Sequence, residues 1–370
     1  MNPVLDTAAH WPGPVVHVNT ERGFSGGEVQ VFLLLEALRA RAVPQLLVVP
    51  PGSESARIGR ERGFPVMELG LRHPFDLWSV LRLSRRLRGA ALAHLHTGRA
   101  AWLGSLAARC AGCPVVITRR MERRVRRGPR TQFCYVSTAR AVIAISPPVA
   151  RCLVEGGVPE PRIVQIPDAL DPQRIVVVRG RAAAREALGV RPDQFLVLSV
   201  AQLMHRKGID VLLQAIASLR DGKVVCAVAG DGPERSALAA LAAELSLGDA
   251  VRFLGRRQDV GDLLAACDLF VLPSRAEGLG VAALEALGAA RPIVASRVGG
   301  LADLLGDGVH GLLVPPDDAA ALTQAIARMC AEPALRERLA AAGPARVDQG
   351  FRVEQYVARH LDVYRSVLKR

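Results

Sequence analysis

Short apolar runs alternate with amphipathic stretches along most of this chain, and the alternation limits the folds open to it. The runs are rich in β-branched residues and have the length of buried strands; in the first half they are GPVVHVN, QLLVVPP, ALAHLHT, PVVITR and AVIAIS. Helical stretches such as GGEVQVFLLLEALRARA and PFDLWSVLRLSRRLRG lie between them. This order is typical of parallel βα units. We therefore predict an α/β fold.

The pattern starts again in the second half, with the runs QFLVLSVAQ, KVVCAVAGDG, AVRFLGR, LFVLPS and PIVAS. Between the halves, QIPDALDPQRI carries prolines and aspartates without a helical period, which predicts a linker at residues 167–175. A chain of 370 residues is also too long for one core. We predict two doubly wound, Rossmann-like domains, residues 1–166 and 176–351, facing each other across a cleft, and an amphipathic helix within 352–370.

The composition favours a cytoplasmic protein. No uncharged apolar run is long enough to cross a bilayer, and the start MNPVLDTAAHWPGP lacks the features of a secretory signal. The seven cysteines are odd in number and widely spread, which suits a reducing compartment. Cys110 and Cys113 form a Cys-x2-Cys motif with no second pair, which is a weak zinc signal.

The formal net charge of +13 is concentrated in one region. Thirteen arginines and a single acid, Glu122, lie between Arg82 and Arg130, most densely at residues 119–130. Such a patch favours a phosphate-bearing partner: nucleic acid, anionic lipid or a phosphorylated saccharide. The low aromatic content of 4% and the lack of a helix-turn-helix or zinc pattern argue against nucleic acid. The alternative is that arginine simply provides solubility.

Ligands of doubly wound sheets bind beyond the carboxyl ends of the strands, so the loops there hold the functional candidates. In SGGEVQ, Gly26 and Gly27 allow close approach of a phosphate to a helix start, or else form a tight turn. In AHLHTGRA, we expect His94 and His96 to point to opposite faces, with His96 at the cleft. There His96 can donate a hydrogen bond to a sugar hydroxyl; an ordinary buried histidine is the alternative.

Two cations follow the first strand of the second half. Arg206 and Lys207 precede Gly208, and Lys207 is one of three lysines in the chain. Their charges suit a diphosphate leaving group, although a surface pair has the same sequence. After the next strand, Gly230 and Gly232 in AGDGPER either shape a turn or contact the ligand.

Two glutamates flank the start of a later helix. Glu277 lies in the loop RAEGLG, the helix begins near Val281, and Glu285 lies one turn into it. The amides of the first turn point at an anion, so the two carboxylates can hold hydroxyls on its two sides. A nucleoside diphosphate sugar has this order of groups. We expect Glu277 on the sugar and Glu285 on the ribose.

In this order, GGE, His-x-His, Lys-Gly, GDGP, Glu-x7-Glu and GG resemble glycosyltransferase family 4, most densely over residues 196–316. The resemblance implies the GT-B fold and retaining transfer of a hexose from a nucleotide donor, without an obligatory metal. It implies an acceptor bound by the N-terminal domain, on which helix 352–370 packs. NTERGFSGGEVQ and TRR look like the branch that builds lipopolysaccharide and other envelope glycans.

The resemblance also implies the role of each site residue. His96, Lys207 and Glu277 would be catalytic, and Arg119 and Arg120 would contact the acceptor. The donor would be held by Gly26, Gly27, Arg206, Gly230, Phe253, Leu254, Gly278, Leu279, Gly280, Val281 and Glu285. We expect no cofactor and no metal, a UDP-sugar as donor with a GDP-sugar as the alternative, and a saccharide or lipid-linked acceptor. The expected location is the inner face of the cytoplasmic membrane, held by anionic lipid.

Two positions depart from the family pattern. Gln202 replaces a phosphate-binding arginine of Gly-Arg-Leu, for which Arg206 can substitute, and Pro167-Asp168-Ala169 replaces Pro-Asn-Gly. The change at Gln202 makes a catalytically degenerate sugar-nucleotide-binding protein one alternative. A sugar-nucleotide epimerase of the same fold is another.

Overall fold

The computed structural model describes residues 11–71, 73, 75–219 and 222–369. The chain divides into two units: unit 1 is Met1–Asp168 with Val353–Arg370, and unit 2 is Ala169–Arg352. The first ten residues and Arg370 lie outside the described residues. The expectation about a secretory signal and the start of domain 1–166 concern the first ten residues. Arg370 is the end of segment 352–370.

Unit 1 is built on a seven-stranded parallel sheet within the described residues. Its strand order is β3-β2-β1-β4-β5-β6-β7, the doubly wound order of a Rossmann fold. The strands are β1 Val15–Val18, β2 Gln45–Val49, β3 Val66–Glu68, β4 Leu92–Leu95, β5 Val115–Arg119, β6 Ala139–Ala144 and β7 Ile163–Gln165. Every residue of β1 and β4 is buried, as expected for central strands that helices cover on both faces.

Unit 2 also contains a parallel sheet, with six described strands in the order β10-β9-β8-β11-β12-β13. These strands are β8 Phe195–Val200, β9 Val224–Ala229, β10 Val251–Gly255, β11 Leu269–Leu272, β12 Ile293–Ser296 and β13 Leu312–Val314. The ten apolar runs that we assigned to strands all form strands. The additional strands β3, β7 and β13 have three residues each and lie at sheet edges.

Helices connect the strands in both units. Those of unit 1 are α1 Gly26–Arg39, α2 Glu54–Glu61, α3 Leu77–Leu87, α4 Gly98–Ala111, α5 Pro129–Thr131, the π-helix Gln132–Thr138, α6 Pro147–Glu155, the 3-10 helix Glu160–Arg162 and α15 Val353–Leu368. Those of unit 2 are the 3-10 helix Pro172–Ile175, α7 Arg181–Ala187, the 3-10 helix His205–Lys207, α8 Ile209–Ala217, α9 Arg235–Glu244, the 3-10 helix Gly248–Ala250, α10 Val260–Ala266, α11 Val281–Gly288, α12 Gly299–Leu305, α13 Ala319–Ala331 and α14 Pro333–Asp348. Among the described helices, none combines the length and the apolar character that a bilayer span requires.

The last helix, α15, packs on unit 1. Its apolar face is buried, and Tyr356 donates a hydrogen bond of 3.3 Å from its hydroxyl to the carbonyl of Gln30 on α1. Near its end, Arg140 Nη1 on β6 donates to Val367 O at 2.7 Å. These contacts bring the aromatic and histidine side chains of α15 under the central strands of the sheet.

Candidate active site

Strand order reverses once in each sheet, and several of the predicted site residues follow the strands at these two places. The reversal lies between β1 and β4 in unit 1, and between β8 and β11 in unit 2. Doubly wound sheets bind ligands beyond the carboxyl ends of the strands at such switch points. Gly27 and His96 follow β1 and β4, whereas Lys207 and Glu277 follow β8 and β11.

In unit 2, Gly208 lets the loop after β8 approach the loop after β11. Its φ is +63°, and a Cβ there would lie 1.9 Å from the carbonyl oxygen of Pro273. Glycine is therefore required for both conformation and space. A hydrogen bond of 2.8 Å from Arg275 N to Arg206 O joins the same two loops. The tight turn at His205–Lys207 is thereby placed against the segment that carries Glu277.

Lys207 and Glu277 form an ion pair at this junction. Nζ of Lys207 contacts Oε1 of Glu277, and Ser274 Oγ donates a hydrogen bond of 2.9 Å to the same oxygen. The side chains are 14% and 7% exposed, so water screens the pair weakly. Two residues from separate motifs thus act as one buried polar group, with Ser274 as a third member.

Arg275 holds the two loops together from the other side. Its Nη1 and Nη2 donate to Oδ1 and Oδ2 of Asp210 at 2.9 and 2.6 Å, and Nη1 also donates to His205 O at 2.6 Å. Burial alone would raise the pKa of Asp210, but the hydrogen bonds and charge of Arg275 lower it below its usual value. A two-pronged guanidinium contact of this kind fixes orientation as well as distance.

Helix α11 begins directly after the Glu277 loop. Gly280 has a φ of +96°, and a Cβ there would lie 2.5 Å from Leu301 Cδ2. Gly278 and the buried Leu279 precede it, and no side chain among the described residues caps the helix at Val281. The free N–H groups of the first turn can therefore bind an anion.

Glu285 lies on this helix and is already paired. Its Oε1 accepts a hydrogen bond of 2.8 Å from Arg174 Nε, in the 3-10 helix Pro172–Ile175. Burial raises the pKa of Glu285, and the charge of Arg174 opposes that rise. Glu285, which we predicted to bind the ribose, is thus a buried carboxylate. Its position depends on Arg174, which follows the boundary between the two units.

Two other donor candidates have local structural roles. A Cβ on Gly230 would lie 1.8 Å from Ala201 O, so close packing of two loops explains this glycine without a ligand. In β10, the pairing with β9 shifts between Phe253 and Gly255, which leaves Leu254 without a cross-strand partner in register. Binding of a base by the backbone at Phe253 and Leu254 stays a prediction.

In unit 1, Glu28 organises the loop between β1 and α1. Its Oε2 accepts hydrogen bonds from the backbone and side chain of Ser25 at 2.9 and 2.8 Å, and its Oε1 accepts from Asn19 Nδ2 at 3.1 Å. A Cβ on Gly27 would meet its nearest neighbour, Arg120 Cδ, at an ordinary 3.7 Å. Packing therefore does not require a glycine at this position, and close approach of a ligand stays a prediction.

The expectation that His94 and His96 point to opposite faces is wrong. Their ring centroids are 4.0 Å apart, because residues two apart along a strand share a face. His17 on β1 joins them: its Nδ1 lies 3.1 Å from Nε2 of His96. His94 instead bonds the hydroxyls of Thr118 and Tyr364, at 2.7 and 2.6 Å.

This histidine cluster is neutral and buried. Burial lowers the pKa of His17 to about 3, and burial with neighbouring histidines holds the pKa values of His94 and His96 well below their usual range. One nitrogen from each of the three rings lies within 4.8 Å of the others, a spacing that could accommodate a metal ion. Both nitrogens of His94 already bond hydroxyls, however, so a metal would have to displace one of these bonds.

Arg120, a predicted acceptor residue, is held as a buried ion pair. Its Nη1 contacts Oδ1 of Asp168, and its Nη2 lies 3.5 Å from the hydroxyl of Tyr356. Asp168 replaces the usual asparagine of the family pattern, and here it supplies the counter-ion of Arg120. Arg119 points elsewhere: its Nη2 donates to Arg123 O at 2.9 Å.

Sequence reasoning missed His17, Arg174 and Arg275. His17 carried a signal, because a histidine inside the apolar run PVVHV is unusual for a buried strand. Arg174 and Arg275 are two of many arginines, and nothing local distinguishes them. Their partners Glu285 and Asp210 lie 111 and 65 residues away along the chain.

Known proteins resemble this chain over most of its length. Family models match at residues 24–174, described as Glycosyltransferase Family 4, and at residues 180–346, described as Glycosyl transferases group 1. The α-D-kanosaminyltransferase of Streptomyces kanamyceticus is 30% identical over 83% of this chain and 91% of its own. The chain belongs to glycosyltransferase family 4.

Other relatives in this family match more locally. A lipopolysaccharide core biosynthesis glycosyltransferase, LpsD of Rhizobium meliloti, is 36% identical over 50% of this chain and 54% of its own. The chain spans about half the length of several curated relatives that it matches. Among solved structures, Anabaena HepE in complex with UDP and glucose has a TM-score of 0.87 at 22% identity, covering 96% of this chain and 100% of its own. The expected GT-B fold class is confirmed.

Proposed function

We propose that this family 4 protein is a retaining glycosyltransferase that moves a hexose from a UDP-sugar to a saccharide or lipid-linked acceptor in envelope glycan synthesis. The observation that carries the proposal is the buried Lys207–Glu277 pair at the unit 2 switch point, next to the uncapped start of α11. This arrangement offers a cation, a carboxylate and free backbone amides to one ligand. The alternatives are a degenerate binding protein and an epimerase.

The donor fits the order of groups along α11. The N–H groups of Gly280 and Val281 would bind the diphosphate together with Lys207 and Arg206, Glu277 would hold the sugar, and Glu285 the ribose. The backbone at Leu254 would bind the base. Anabaena HepE was crystallised with UDP and with UDP-glucose, which supports UDP over GDP here.

Transfer would break the bond between the anomeric carbon and the diphosphate oxygen. The acceptor hydroxyl oxygen would bond to that carbon on the same face, and its proton would leave with the nucleoside diphosphate. Lys207 and Arg206 would stabilise the negative charge that develops on the leaving group, the work that a metal does elsewhere. His96, a neutral imidazole, would bond a hydroxyl of the donor sugar.

We assign acceptor binding to the domain at residues 1–166, with Arg119 and Arg120 near the acceptor, and donor binding to residues 176–351. The arginines between Arg82 and Arg130 support association with the anionic inner face of the cytoplasmic membrane. Such a location would bring the protein to a lipid-linked acceptor.

Thermal unfolding against UDP, GDP, ADP and CMP, with a short RNA as control, tests the donor assignment. A ligand at one hundred times its dissociation constant stabilises the folded state by about 2.7 kcal/mol, a measurable shift. We expect the shift with UDP, its loss in Glu285→Gln, and its retention in Glu186→Gln, an exposed glutamate on α7 of the same unit. A shift with RNA alone would contradict the proposal.

Turnover then separates the three candidate activities. Incubation with UDP-hexoses and an envelope-type acceptor should release UDP and form a product whose anomeric configuration, read by NMR, matches the donor. Activity should survive EDTA. UDP binding without turnover would identify a degenerate protein, and a new UDP-sugar isomer without transfer would identify an epimerase.

A further inference from the structure

Helix α3 presents an unusual surface in unit 1. Four large apolar side chains around its first turns face solvent: Phe75, Leu77, Trp78 and Leu81 are 76%, 66%, 64% and 53% exposed. The opposite face of the helix, including Val80, Leu83 and Leu87, is buried against the protein. Clusters of exposed large apolar residues mark interaction sites. We call these four residues the α3 tip.

The second half of the same exposed face is basic. Arg82, Arg85 and Arg86 lie on it, one to two turns after the tip, and all three are exposed. The guanidinium of Arg82 lies over the ring of Trp78, 4.5 Å from its centroid. The stripe through Trp78, Leu81, Arg82 and Arg85 follows the helical repeat. The helix thus carries apolar side chains at one end and positive charge at the other.

The occupant that matches both halves is an anionic bilayer. Tryptophan and leucine at a helix end enter the boundary between headgroups and acyl chains, and the arginines then lie at the level of the phosphates. A peptide or protein partner would need a complementary acidic groove, whereas a bilayer needs only the apolar tip and the charge. The carboxylate of this turn, Asp76, is engaged as the helix N-cap, where its Oδ1 accepts a hydrogen bond of 3.0 Å from Ser79 N.

The α3 tip lies at the same edge of the unit 1 sheet as His96. α3 follows β3, so its first turn lies at the carboxyl edge of the sheet, the edge at which β4 delivers His96. We propose that the α3 tip inserts into the anionic membrane surface, and that this insertion orients the acceptor-binding edge of unit 1 toward the bilayer. The inference rests on the proposed membrane association and names the segment that would perform it.

The test uses the full chain and lipid vesicles. Cosedimentation is measured with phosphatidylcholine vesicles that contain or lack about one third phosphatidylglycerol. We expect binding to the anionic vesicles, and a decrease on the order of tenfold or more in Trp78→Ser/Leu81→Ser. The matched control is Val178→Ser, an 81% exposed apolar residue in unit 2, which should bind as the parent does. Circular dichroism melts verify that each variant is folded.

The outcomes distinguish the role of the α3 tip from membrane association itself. No binding to anionic vesicles by the parent protein overturns membrane association itself. Binding that high salt abolishes but Trp78→Ser/Leu81→Ser leaves unchanged overturns the role of the tip. Equal binding to neutral vesicles overturns the anionic occupant, and a dimer that only the tip variant dissociates identifies a second copy of the chain instead. Quenching of tryptophan fluorescence by brominated lipid should fall in Trp78→Phe while binding persists.

Discussion

The ammonium group of Lys207 is paired with the carboxylate of Glu277, 70 residues further along the chain, in a nearly solvent-free junction of two loops. The contact fixes the position of the Lys207 ammonium group at the unit 2 switch point. The same burial makes each member dependent on the other, because an unpaired buried charge is costly.

Removing one member of this pair should affect both turnover and stability. We expect Glu277→Gln to reduce turnover on the order of 100-fold, because a contact to the reacting sugar is lost. Unlike a surface loop residue, Glu277 also neutralises Lys207, so the free energy of unfolding should fall by about 1–3 kcal/mol. Steady-state kinetics below the melting temperature and urea unfolding measure the two effects. Asp193→Asn, which alters an exposed ion pair, should change neither; full activity in Glu277→Gln would refute the catalytic assignment.

The bond between His17 and His96 predicts a positioning role for His17. In His17→Phe the ring of His96 loses its partner, so we expect kcat to fall about tenfold or more with a smaller change in KM. His17→Asn, which can place an amide near the former Nδ1, should recover part of the loss. His360→Phe alters an equally buried histidine that bonds Tyr356 O instead. If His360→Phe lowers kcat as much as His17→Phe, the effect is one of packing and not of the bond.

We expect Asp168, which departs from the family pattern, to stabilise the fold through its ion pair with Arg120. Changing it to the usual asparagine leaves the buried charge of Arg120 without a counter-ion, and we expect Asp168→Asn to lower the free energy of unfolding by about 3 kcal/mol. Burial alone would lower the pKa of Arg120, and the charge of Asp168 reverses this. Urea unfolding at neutral pH provides the measurement. A second change, Arg120→Met, in the same chain should recover part of the loss; additive losses would contradict the pairing.

The buried histidines predict acid sensitivity. In the unfolded chain a histidine has a pKa of about 6.5, whereas burial lowers the folded values of His17 and His360 to about 3. Below pH ~6.5 the unfolded state therefore binds more protons, and stability falls as the pH falls, by up to about 1.4 kcal/mol per pH unit and histidine.

Two buried carboxyl groups limit the size of this effect. Burial raises the pKa values of Asp168 and Glu285, so these carboxyls act in the opposite sense at the acid end of the range. Urea unfolding between pH ~7.5 and ~5 should show a smaller slope in His360→Gln than in the parent protein. Equal slopes in the two proteins would show that His360 does not control the acid response.

The sequence determined the architecture because strands and helices leave local periodic signals. All ten apolar runs that we assigned to strands form strands, whereas β3, β7 and β13 were not predicted, because three residues are too few to distinguish a strand from a loop by their pattern. The loops after the strands were also readable, because parallel strands carry their chemistry at one edge.

Tertiary structure alone decided which of those residues meet. The partners of Glu277, Glu285 and Arg120 are Lys207, Arg174 and Asp168, each supplied by a segment distant along the chain. Their pairing depends on strand order and on close approaches such as that of Gly208 to Pro273, neither of which is encoded in local spacing. Sequence thus specified the two folded sheets and the candidate residues, whereas the order in which the strands pack brought those residues into contact.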